Sequence, residues 1–134
     1  MLANPRLIIG WILTVLIGLF LIGASGIPKF MDFPQKDEMM AKLGIPVDLL
    51  PSLGVLVISI TVLYLIPRTA FLGAVLITGY LGGAIFTHLR IGDPWWFPIM
   101  IGVLMWVGLA LRQPVLFSLL LGQQINAKSS GCAP

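Results

Sequence analysis

Two adjacent apolar runs, residues 49–67 and 69–89, constrain this chain most strongly, because Arg68 is the only charged residue within that stretch. As one straight helix they would extend about 60 Å, roughly twice the ~30 Å thickness of a bilayer's hydrocarbon core. The chain must therefore fold back. Pro67 marks the place, because proline lacks an N–H and disfavours a helical conformation at the preceding residue. Arg68 would cost about 2.5–3.5 kcal/mol at the bilayer centre, so it belongs at the water interface. The pattern predicts a transmembrane helical hairpin with a tight turn.

The amino-acid composition excludes a soluble domain. Charged residues make up 10% of the chain and hydrophobic residues 58%, whereas soluble domains carry about 25% charged residues. The formal net charge of +3 does not indicate a nucleic-acid partner, because the basic residues are scattered between apolar runs. The single cysteine, Cys132, excludes an internal disulfide and a CxxC redox pair. We expect the lipid bilayer to be the partner of this chain.

Four apolar stretches predict an all-α, up-down bundle of four transmembrane helices, at residues 7–26, 48–66, 69–90 and 94–111. A cleaved signal peptide is the alternative for the first stretch, since small residues follow it at positions 23–26. That stretch is longer than the apolar region of a typical signal peptide, so we favour an uncleaved helix.

Residues 29–48 hold most of the charge and separate the first two spans. Within them, Pro34, acidic residues, Lys42 and Gly44 follow one another in the order that begins and ends a helix. We predict a short amphipathic helix at the membrane surface, with an ordered loop as the alternative. The predicted domain covers residues 1–121, and the polar residues 122–134 are expected to form a disordered tail.

The third span is rich in small residues. Gly79 and Gly83 form a GxxxG pair, a pattern that lets membrane helices approach closely. We predict that this helix is the most central one and packs through Gly73, Gly79, Gly83 and Ala84. A homodimer interface on the same face is the alternative.

No acidic or basic residue lies deep within any span, so proton-coupled export is a poor fit. With one histidine, a bis-histidine haem is excluded, and no set of metal ligands can be assembled.

One cluster of polar residues remains as a candidate site, because Tyr80 and His88 are eight residues apart and share a helix face. Thr87 and Arg90 adjoin them, and Trp95 can stack nearby. A quinone headgroup is the candidate ligand there. Alternatively, His88 and Arg90 only anchor the helix end at the interface.

Several motifs resemble the DoxX-like family of membrane proteins, from the first helix to Arg112. The motifs are Ser25-Gly26 with Lys29, Leu43-Gly44 with Pro46, Tyr64 to Ala70, Leu72 to Ala74, Gly79 to Ala84, Thr87 to Arg90 and Trp106 to Arg112. The resemblance implies a four-helix bundle with both termini cytoplasmic, which we expect in a bacterial-type plasma membrane. The lysines and arginines flanking the spans divide equally between the two sides and do not decide the orientation. All acidic residues fall on the side opposite the termini, which weakly favours cytoplasmic termini.

The family is named for a subunit of a thiosulfate:quinone oxidoreductase, and other members are linked to membrane redox complexes. The resemblance therefore implies an accessory subunit of a quinone-linked redox system, with other redox subunits as partners. Members often carry a glutamate shortly after the glycine of the second helix, where this chain has Val57, and this departure weakens a catalytic role. The alternatives are a non-catalytic scaffold or assembly factor and, less favoured, a small transporter.

Overall fold

The first membrane segment is one continuous helical rod, Pro5–Phe30, in a computed structural model that describes residues 4–122. It begins as helix α1 (Pro5–Phe20), widens into a π-helical segment (Leu21–Gly26) and ends as a 3₁₀ turn (Ile27–Phe30). The side chain of Asn4 caps the start by accepting a hydrogen bond from the backbone of Arg6 at 3.2 Å. The rod extends several residues beyond the predicted span at its C-terminal end.

A short helix, α2 (Lys36–Leu43), follows the rod and confirms the helix predicted in the charged segment. It ends at Gly44, whose φ of 70° requires the left-handed conformation that glycine adopts readily. Its buried apolar residue is Met40. Helix α2 packs against the third membrane segment, so its apolar side faces the bundle.

The predicted hairpin is confirmed. A 3₁₀ turn (Val47–Leu49) leads into α3 (Leu50–Leu65), and α4 (Ala70–Ile91) returns after a four-residue connection. Ile66 is extended at ψ 122°, as a residue before proline must be. The hydroxyl of Thr69 donates back to the carbonyl of Leu63 at 2.8 Å, which ties the turn to the end of α3.

Two further helices complete the described chain, α5 (Trp96–Arg112) and the six-residue α6 (Val115–Leu120). By length and composition, Pro5–Phe30, Val47–Leu65 and Ala70–Ile91 can cross a membrane, whereas α5 is a shorter apolar helix. The polar tail from residue 123 onward, including Cys132, lies outside the described residues.

The four long helices pack side by side. Helix α1 contacts α5 along its length and α3 less extensively, the π segment packs on α3, and α4 packs against both α3 and α5. The centre holds buried apolar residues: Ile17, Leu21, Ile60, Tyr64, Ile77, Met105 and Leu109. Large apolar side chains also cover the outside, and only about a third of each spanning window is buried. Such a surface suits lipid and not water, so this is an integral membrane protein.

The glycines that bring helices together are only partly those predicted. A Cβ on Gly73 would lie 2.6 Å from the Cα of Tyr64, so α3 and α4 are in backbone contact there. A Cβ on Gly79 or Gly83 would meet no atom within 4 Å. The predicted close packing inside the chain is therefore wrong at Gly79 and Gly83. The other close approach of long helices joins α1 to α5, where a Cβ on Gly10 would lie 3.0 Å from the carbonyl oxygen of Gly108.

Candidate functional site

A cavity of about 540 Å³ opens beneath α2, at the end of the bundle where the first segment finishes and α3 begins. The last turns of α4 and the first turns of α5 complete its wall. Most of the lining is apolar: Phe20, Leu21, Ala24, Phe33, Met39, Met40, Leu43, Ile45, Leu50, Leu53, Leu81, Ala84, Phe97 and Ile101. Gly79 and Gly83 also line it, which explains why a Cβ on either residue would meet no atom within 4 Å.

A connected polar group lies on one wall of the cavity. The hydroxyls of Ser25 and Tyr80 lie 3.0 Å apart, and either one can be the donor. The ammonium of Lys29 donates to the Ser25 hydroxyl at 3.0 Å and also to the Ser25 carbonyl oxygen. The same ammonium lies 5.8 Å from the centre of the Tyr80 ring, within the range of a cation–π contact. Ser25 therefore links the first segment to α4.

The π segment places Ser25 in this position. Pro28 has no N–H, so the carbonyl of Ala24 cannot receive the α-helical hydrogen bond from four residues ahead. The helix widens instead, and the N–H of Ile27 bonds to the carbonyl of Ile22, five residues back. Such π-helical turns are frequent at functional sites.

His88 lines the cavity from the last turn of α4. Its Nδ1 lies 3.7 Å from the Oδ2 of Asp93, which is too long for a hydrogen bond. Among the residues that the structure describes, this buried nitrogen has no hydrogen-bond partner. Native proteins rarely leave a buried polar atom unpaired, so the imidazole has unused hydrogen-bonding capacity.

A family model described as the DoxX-like family matches residues 12–108. The chain belongs to the DoxX-like family. The matched range contains every residue that lines the cavity. No curated protein and no solved structure shows significant similarity to the chain.

The structure brings together some of the site residues predicted for this DoxX-like protein. Tyr80, Thr87 and His88 line the cavity. The Thr87 hydroxyl donates to the carbonyl of Gly83 at 2.9 Å, so its donor is already used. Arg90 and Trp95 do not line the cavity.

The two predicted residues outside the cavity have other surroundings. A Cβ on Gly44 would lie 3.2 Å from both terminal nitrogens of Arg90, so Arg90 lies against the end of α2 and fits the anchoring alternative. Trp95 is 47% exposed, and the aromatic residue of this region that lines the cavity is Phe97.

Sequence reasoning did not select Ser25 and Lys29 as site residues, although both appeared in the family motif. Their four-residue spacing in an otherwise apolar run was the available signal, because it places both side chains on one helix face. Residues 4–122 contain no group of three His, Cys, Asp or Glu that could hold a metal ion.

A second polar cluster lies at the opposite end of the bundle and has a structural character. Arg112 is 9% exposed and donates to the carbonyl of Tyr64 at 3.3 Å. Its guanidinium carbon lies 4.5 Å from the centre of the Trp11 ring. The Tyr64 hydroxyl donates to the carbonyl of Met105 at 2.9 Å. These contacts connect α1, α3 and α5.

Proposed function

We propose that this DoxX-like protein is an accessory subunit of a membrane redox system and holds a quinone in the cavity beneath α2. The cavity carries this proposal, because it combines an apolar wall with a few converging polar groups, as small-molecule sites do. Its volume of about 540 Å³ lies in the range of roughly 300–1,000 Å³ found for ligand pockets.

The polar groups suit a headgroup with oxygens at both ends of a ring. Tyr80 and His88 are eight residues apart on one helix, which corresponds to about 12 Å along its axis. A hydroxyl and a neutral imidazole can each donate to a carbonyl oxygen or accept from a hydroxyl. A quinone and the corresponding quinol can therefore both hydrogen-bond between them, with the ring against the apolar wall.

We further propose a four-span topology in a bacterial-type plasma membrane, with α5 as the fourth span and both termini cytoplasmic. The 17 residues of α5 rise about 25 Å, and about 17 residues is the lower limit for a spanning helix. The connections at the cavity end carry all five acidic residues, whereas Arg6, Arg68 and Arg112 lie at the other end. This distribution supports cytoplasmic termini, although acidic residues contribute little to orientation.

A non-catalytic scaffold or assembly factor is the second candidate function, and one observation favours it. An open apolar groove of about 460 Å³ lies between α4 and α5, and Gly82, Gly102 and Trp106 are among its lining residues. Small residues beside a groove let another membrane helix approach closely. A small transporter is less well supported, because the one carboxylate within the described spanning segments, Asp48, lies in the first turn of Val47–Leu65 and none lies deeper.

Binding of 2-methyl-1,4-naphthoquinone to the purified protein in lipid nanodiscs tests the proposed ligand. His88→Ala should weaken binding by about tenfold, because it removes one hydrogen-bonding group from a partly buried site. Phe86→Ala is the matched control, since it removes a comparable ring from the same helix at a position that is 64% exposed. This control should bind the quinone as the wild type does.

Thermal unfolding of both variants separates a ligand role from a structural one. If His88→Ala unfolds the bundle while Phe86→Ala does not, the histidine is structural. If the wild type binds no quinone, the cavity does not serve this ligand and the scaffold function gains support.

A further inference from the structure

Lys29 is the one fully charged side chain that lines the cavity. We propose that Lys29 makes this site selective for ligands with an anionic oxygen on the headgroup, such as an ionised hydroxyquinone, over neutral quinones. This inference rests on the proposed quinone function and adds the charge state that the site prefers.

The surroundings of Lys29 leave its charge uncompensated. Within residues 4–122, one ion pair joins Lys36 to Asp32, the His88 ring lies beside Asp93, and no carboxylate lies within 4 Å of the Lys29 ammonium. Its partners are the neutral oxygens of Ser25 and the face of the Tyr80 ring. These contacts hold the ammonium in place without neutralising it.

The cation is also placed where a ligand can reach it. Lys29 is half-buried and lies at the end of the first segment, with its ammonium directed to the wall that Tyr80 and Ser25 form. An ammonium has three donors, and two of them are used on Ser25. One donor therefore remains for a ligand oxygen.

The charges at the two ends of the polar cavity wall differ, and this difference predicts how an anionic ligand is oriented in the cavity. The imidazole of His88 has the carboxylate of Asp93 at 3.7 Å, so a negative charge is disfavoured at that end. The Lys29 end has only a cation and neutral dipoles. An anionic oxygen should therefore face Lys29, and the neutral carbonyl on the other side of the ring should face His88.

A pair of ligands that differ mainly in charge tests this preference. The 2-hydroxy-1,4-naphthoquinone is an anion at neutral pH, whereas 2-methyl-1,4-naphthoquinone is neutral and similar in size. Binding of both is measured on the full chain in nanodiscs of neutral lipid, for the wild type, Lys29→Met and Lys29→Arg. Methionine keeps much of the aliphatic stem and removes the charge, and arginine keeps the charge.

We expect the ratio of the two affinities to shift by about tenfold towards the neutral quinone in Lys29→Met, because hydrogen bonds to ionised groups are roughly twice as strong as neutral ones. Lys29→Arg should keep most of the wild-type preference. Using the ratio cancels the different partitioning of the two ligands into the lipid, since that partitioning is the same for every variant.

An unchanged ratio in Lys29→Met would overturn the selectivity and leave the quinone function standing. Failure of the wild type to bind either ligand would overturn both. If Lys29→Met does not fold, a competition experiment on the wild type replaces it. This experiment measures whether dodecanoate displaces the bound hydroxyquinone. Displacement of the hydroxyquinone by this carboxylate, but not by dodecanol, would support an anion-selective site, and equal displacement by both would refute it.

Discussion

Replacing Gly73 by alanine gives the sharpest test of how the α3–α4 hairpin is held. The added Cβ would lie 2.6 Å from the Cα of Tyr64 and 2.8 Å from the carbonyl carbon of Leu63, whereas carbon atoms pack best at about 3.5–4.0 Å. Both neighbours are backbone atoms, so no side-chain rotation can relieve the contact. The two helices would have to separate by roughly 1 Å.

The expected cost follows from two opposing terms. Overpacking of this kind costs about 1–3 kcal/mol, while alanine gains about 0.8–1.0 kcal/mol over glycine in helix propensity. Gly83→Ala is the matched control on the same helix, because its Cβ would meet no atom within 4 Å and only the propensity gain applies. The free energy of unfolding should therefore be about 1–3 kcal/mol lower for Gly73→Ala than for Gly83→Ala.

Unfolding of the ligand-free protein by SDS in mixed micelles measures this difference. Equal midpoints for the two variants would refute the backbone contact at Gly73. If Gly83→Ala were the less stable variant, and only at protein concentrations where the chain dimerises, the GxxxG pair would serve as an interface between copies.

Two further measurements address the topology and the buried hydroxyl. In a background with Cys132→Ser, single cysteines at Asp37 and Arg68 should react with a membrane-impermeant maleimide from opposite faces of the membrane, and labelling from one face would contradict the four-span topology. Tyr64→Phe should lower the free energy of unfolding by about 0.6–1.7 kcal/mol, as expected for a hydrogen bond inside a membrane protein, because it removes the hydroxyl that joins α3 to the carbonyl of Met105 on α5. An unchanged SDS midpoint would show that this hydrogen bond contributes nothing measurable.

The helices could be predicted from the sequence because local chemistry begins and ends them. Pro67 stops α3, Gly44 ends α2 with a positive φ, and Gly92 ends α4 in the same way. Each of these signals acts on the backbone of its own residue or its immediate neighbour, so it does not depend on what the helix packs against. Family membership was predictable for a related reason, since its motifs are centred on this hairpin.

The π segment was not predictable in the same way. Pro28 removes one hydrogen bond, but that loss can produce a kink, a break or a wider turn. The structure shows the wider turn, in which Ser25 contacts Tyr80, 55 residues away in sequence. The proline alone is therefore compatible with several helix geometries. The Ser25–Tyr80 contact that accompanies the observed π-helical turn joins distant parts of the chain, so it could not be read from the local sequence.

The two glycine predictions differ in outcome because the positions differ in their distance from the turn. Gly73 and Tyr64 lie within a few residues of the connection at 66–69, where a tight hairpin forces the two backbones together. Gly79 lies farther along the helix, where packing of side chains sets the spacing of the helices. There, a missing side chain can admit a neighbouring helix or leave space for a small molecule, and both outcomes produce the same sequence pattern. In this protein the space is left open, so the small residues that suggested a packing interface instead form part of the cavity wall.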